Sequence, residues 1–145
     1  MVLRLERQHI VILREEALKV HPVEACALLF GRVDSNEAHV SKVAIAPNKL
    51  QSTVRFEINP ETVFKELNEA EREELDFIGF FHSHPAPARP SLIDQKGMKL
   101  WGNAIWLILS STKSNLGAYK MMNDEVIEIP IIVESENSRE KTPKQ

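Results

Sequence analysis

A chain of 145 residues, 43% of them hydrophobic, is long enough for one core without a disulfide or an oligomeric staple. Its formal net charge of −3, with 18 Lys and Arg scattered rather than striped, creates no field that would gather a phosphate backbone, so nucleic acid is not an expected partner. The lone Cys26 excludes an intramolecular disulfide and a cysteine-rich zinc cluster, which leaves nitrogen and oxygen to hold any metal.

The N-terminal MVLRLERQHIVILREE breaks its apolar stretch with charge too often for a secretory signal, and no run of eighteen apolar residues follows. The expectation is a cytoplasmic protein that does not engage a membrane. After a short strand, Ile10, Leu13, Ala17 and Val20 recur at the spacing of an amphipathic helix that Pro22 should end. ACALLFGRV reads as a buried strand, Asp34-Ser35-Asn36 as a turn, and HVSKVAIA as its antiparallel neighbour. VRFEI reads as a further strand. Asn59 or Pro60 opens a helix through ETVFKELNEAEREEL, with Val63, Leu67 and Ala70 facing inward. LDFIGFFHSH is an apolar strand that terminates in histidines, and PAPARP is a stiff loop before a helix that begins near Ser91. AIWLILSS, LGAYKMM and EVIEIPIIV complete the sheet. The predicted class is α+β, or mixed α/β, with two or three helices on one mixed sheet. Residues 1–134 form one domain, and residues 135–145, which have lost all periodicity, are expected to be a disordered tail.

The chemistry gathers around the end of the histidine strand. His82 and His84 stand at i and i+2, so both project from one face and can reach one ion. Ser91 and Asp94 stand at i and i+3 of a helix, where Asp94 can add an oxygen ligand. Two nitrogens and one oxygen leave a fourth tetrahedral position open, the pattern of a catalytic zinc site, although the same donors also suit other divalent ions. Taken alone, Ser91 and Asp94 read first as a capping box, and that role is compatible with ligation. His9, His21 and His39 have no such company and are assigned to surface or structural roles. Cys26 is assigned to the core.

In sequence order, Glu24, then His82-Ser83-His84-Pro85, then Ser91-Leu92-Ile93-Asp94 resemble the motif of the JAMM (MPN+) zinc metalloproteases, and the segment His21 to Gly31 is similar to the family's stretch around its glutamate. The resemblance runs from about residue 8 to residue 122. Two departures stand out: six residues separate His84 from Ser91 where seven are usual, and Ala27 occupies a position where glycine is common. The compact chain looks most like archaeal stand-alone members.

The resemblance implies an MPN fold, related to that of the cytidine deaminases, whose usual Pro-Cys-x-x-Cys is missing here. It implies one zinc per chain held by His82, His84 and Asp94, with Glu24 as the proton carrier for a metal-held water and Ser91 as donor to the developing oxyanion. It also implies a substrate class, the lysine conjugates of a ubiquitin-like β-grasp modifier cut at its C-terminal Gly-Gly. Two alternatives accompany the family: processing of a sulfur-carrier protein of the same shape, and service as an inert scaffold. The modifier's tail should lie as an extra strand in a narrow channel, for which Asn48 to Phe56 and PAPARP are the expected walls. Monomer and homodimer both stay open.

Overall fold

Alternate residues of one strand face opposite sides of a sheet, and the strand Cys26–Val33 (β2) buries both of its faces: Ala27 and Leu29 pack in one core, Cys26, Leu28 and Phe30 in another. A strand buried on both faces needs a layer on each side. In this computed structural model, which describes residues 1–135, the first layer is helix α1 (Arg7–Val20), whose Ile10, Leu13 and Ala17 point into the Leu29 core. The second consists of α2 (Pro60–Arg72) and α3 (Leu92–Leu100), which contribute Ala70 and Met98 to the Phe30 core. The remaining strands are β1 (Val2–Glu6), β3 (Glu37–Ala46), β4 (Asp76–His84), β5 (Ile105–Ser110), β6 (Leu116–Met122), β7 (Glu125–Ile129) and β8 (Ile131–Glu134). They form one mixed sheet of order β7-β6-β5-β4-β2-β3-β1-β8. The α+β class expected from the sequence is the one found.

Four central strands position the site. β2 and β3 pair antiparallel, as do β2 and β4, whereas β4 and β5 run parallel. Gly79 makes the last pairing close, since a Cβ there would lie 1.8 Å from the Ile105 carbonyl oxygen. The β2–β4 register jumps from Leu29↔Gly79 to Phe30↔Phe77, so Ile78 is an extra residue, a β-bulge. Ile78 packs on the α1 side while Phe77 and Phe80 pack on the other, and beyond this phase change His82 joins Phe80 on the face that α3 covers.

Three expectations need correction. VRFEI forms no strand: residues 55–58 carry no ladder pairing, because the Arg55 carbonyl and the Glu57 N–H bond the side chain of Asn48 instead. The second helix stops at Arg72 rather than Leu75, and the chain then turns through Glu74 at φ 60°. EVIEIPIIV is two strands, β7 and β8, that Pro130 separates onto opposite borders of the sheet. The expected tail lies outside the described residues except for Ser135. No helix among the described residues is long and apolar enough to cross a membrane.

Candidate functional site

β4 delivers both imidazoles to one place. His82 and His84 are buried at the end of the strand, and their Nε2 atoms lie 3.1 and 3.9 Å from Asp94 Oδ2. Phe56 stacks on the His82 ring at 4.8 Å between centroids, and Trp106 meets it edge-on at 5.8 Å.

Asp94 arrives from α3 through the capping box. Ser91 Oγ accepts from the Asp94 N–H at 3.1 Å, and Asp94 Oδ2 accepts from the Ser91 N–H at 2.9 Å. The cap therefore fixes the carboxylate. Because Ser91 Oγ accepts in this bond, its own hydrogen stays available. Burial alone would raise the Asp94 carboxyl, but hydrogen bonding and charge from His82, with bonding from Ser91, outweigh it and hold the carboxyl below its ordinary value. Burial, joined by the neighbouring His82, lowers the pKa of His84 and favours its neutral ring.

Glu24, in the segment just before β2, is 1% exposed, with Oε1 3.9 Å from His82 Nε2. Burial pushes its carboxyl up to about 7, the nearby His82 charge opposes this, and Asp94 adds to it. Ser83, between the two ligand candidates, points the other way: its Oγ accepts from the Ala25 N–H and its N–H donates to the Ala25 carbonyl, each at 3.0 Å. One strand thus presents two imidazoles on one face and pins the residue after Glu24 with the other.

The ligand atoms of His82, His84 and Asp94 all lie within 4.8 Å of one another, the one buried cluster of its kind among the described residues. Both ring nitrogens of His84, Nδ1 of His82 and both oxygens of Glu24 are buried without a hydrogen-bond partner. Buried polar atoms left unpaired cost free energy, and a divalent cation held by two imidazoles and a carboxylate accounts for the convergence. The residues fit a metal ion.

A sequence profile described as prokaryotic homologs of the JAB domain matches residues 6–123. The chain belongs to this family. Among JAB-domain relatives, a desampylase of Pyrococcus furiosus is 43% identical over 117 residues, which are 77% of each chain. A desampylase of Haloferax volcanii is 33% identical over 126 residues, 83% of this chain and 86% of its own. The solution structure of a Desulfitobacterium hafniense protein superposes with a TM-score of 0.83 at 29% identity, covering 93% of this chain and 94% of that one. One from Salinibacter ruber gives 0.69 at 25%, covering 90% and 91%. The JAMM/MPN fold follows.

All five residues singled out from the sequence converge here. Of the two expected channel walls, the first contributes Leu50, Arg55 and Phe56 to a cavity of about 410 Å³ that also reaches Ile93, Asp94 and Trp101. The Pro85–Pro90 loop does not line it. Instead Tyr119 clamps that loop by donating its hydroxyl to the Ala88 carbonyl at 2.7 Å. Cys26 is buried with its thiol pushed up to about 12, by burial first. His9 is buried and His21 is exposed, bonded through Nδ1 to Ser111 Oγ at 3.0 Å.

Proposed function

We propose that residues 1–134 are the catalytic domain of a zinc-dependent isopeptidase, which acts in the cytoplasm to release a ubiquitin-like modifier from target lysines by hydrolysing the bond after its C-terminal Gly-Gly. The observation that carries the reading is the buried convergence of His82 and His84 on the capped Asp94, with the unpaired Glu24 carboxyl beside His82; the two relatives named desampylases support the substrate class.

His82, His84 and Asp94 would hold one zinc ion, which when bound supplies Lewis acidity that brings the pKa of a water from 15.7 to about 7. Glu24 accepts the proton of the attacking water and returns it to the lysine Nζ as the C–N bond breaks. Its buried carboxyl suits that task, since no other hydrogen bond occupies either oxygen. Ser91 directs its free hydroxyl hydrogen toward the carbonyl oxygen as negative charge grows there. The cavity beside Asp94 receives the modifier's tail, and the aromatic wall of half-buried Phe56 and buried Trp106 covers the His82 ring.

The test is incubation of the zinc-loaded protein with lysine conjugates of several β-grasp modifiers, read by mass spectrometry. Free modifier ending in Gly-Gly, and unmodified lysine on the target, are expected from conjugates with unrelated targets. Products ending elsewhere, or intact conjugates with zinc bound, refute the reading.

A further inference from the structure

Glu24 is the proton carrier in the reading above, yet no strand ladder holds its own peptide groups. The Glu24 N–H donates to the Ser52 carbonyl at 2.8 Å, and the Glu24 carbonyl accepts from Asn48 Nδ2 at 3.1 Å. Both partners belong to the segment that follows β3.

Asn48 is buried, and its amide organises that segment. Nδ2 also donates to the Arg55 carbonyl at 3.1 Å, with a longer contact to Ser52 at 3.5 Å, while Oδ1 accepts from the N–H groups of Leu50 and Glu57 at 3.1 and 3.2 Å. An asparagine amide has two donor hydrogens and one two-lone-pair acceptor. All of that capacity is spent on one irregular loop and on Glu24. The same loop supplies Leu50, Arg55 and Phe56 to the cavity beside Asp94, and Phe56 lies on the His82 ring. One side chain therefore joins the wall of the cleft to the main chain of the proton carrier, from the side opposite the Ser83 anchor at Ala25.

We infer that Asn48 is a positioning residue: it hangs Glu24 from the cleft-lining loop, so that the loop's ordered form and the placement of the Glu24 carboxyl are one state. This rests on the functional reading of Glu24 given above. A catalytic group displaced by about 1 Å loses on the order of 100-fold in rate, so even a modest slackening of this tether falls on turnover.

Asn48→Asp keeps the acceptor and removes the donor to Glu24 and Arg55, and Asn48→Ser is the milder companion should the aspartate fail to fold. Two measurements are made on full-length, zinc-loaded protein. With a modifier conjugate, kcat is expected to fall about 10- to 100-fold while zinc stays at the wild-type level. In amide exchange, the Glu24 N–H is expected to lose about tenfold or more of its protection while the Ala25 N–H, held by Ser83, keeps its own. A raised KM with unchanged kcat, or unchanged Glu24 exchange, overturns the inference. A wild-type protein that cleaves no conjugate overturns the functional reading instead, and the exchange measurement still decides whether Asn48 holds Glu24.

Discussion

Glu24→Gln should make the metal-free protein more stable at alkaline pH and no more stable in acid. The Glu24 carboxyl titrates near 7 in the fold against an ordinary 4.5, because it is buried with no hydrogen bond to either oxygen. An acid whose folded pKa lies above its unfolded one is held protonated by the fold, so wild-type stability falls as pH rises from about 4.5 to about 7 and the full penalty stands above that. At 1.36 kcal/mol per pKa unit the penalty is about 3 kcal/mol, and the imperfectly partnered Gln amide reduces the gain to about 2 kcal/mol. With an unfolding entropy of about 2.1 cal/mol/K per residue, that is roughly 7 °C in Tm for a chain of this length. Thermal melts of chelator-stripped wild type and variant at pH 8 and pH 5 make the measurement, and groups common to both proteins cancel in the difference. The gap should open at pH 8 and shrink to roughly 2 °C or less at pH 5. A gap of equal size at both pH values, or a variant that melts lower at pH 8, would refute the burial argument.

The same substitution, made in zinc-loaded protein, should leave metal content at one ion per chain while abolishing turnover, whereas His82→Ala and Asp94→Ala should lose both; elemental analysis beside a conjugate-cleavage assay separates the two patterns. Ser91→Ala removes an oxyanion donor and an N-cap together. Steady-state kinetics should show kcat down about 100-fold, from ~3 kcal/mol, and calorimetry a melting point lower by about 3 °C, from ~1 kcal/mol. Cys26, buried and with its thiol at about 12, should resist iodoacetamide at pH 8 in native protein and react at once in urea, as intact-mass measurement will report.

The ligand candidates were legible because each obeys a local rule. Period two put His82 and His84 on one face, and the spacing of a capping box put Ser91 beside Asp94. Which face the histidines would take was not legible, since it depends on the bulge at Ile78, and a continuous apolar run such as DFIGFF conceals a change of phase. Glu24 was found only through the family motif, because nothing in its neighbourhood marks one glutamate among many. Asn48 entered only as the start of an expected channel wall, because no periodicity shows that a side-chain amide will satisfy the loop read from VRFEI as a strand. Ser83 was passed over as the spacer between two histidines, although alternation alone sends it to the face where it holds Ala25.

Pro130 is the single residue between β7 and β8, which form the two borders of the sheet. Neighbouring Cα atoms are 3.8 Å apart, so the borders approach to within about 8 Å at this point, and the Pro130 carbonyl accepts from the Leu3 N–H at 2.9 Å. The eight strands are therefore wrapped like a cuff with its clasp at Pro130. β8 lies along β1 from Leu3↔Ile131 to Glu6↔Glu134 and covers an edge that would otherwise present bare peptide groups to another chain. Undoing the clasp frees β1, the strand that runs directly into α1 and so into the layer roofing the Leu29 core.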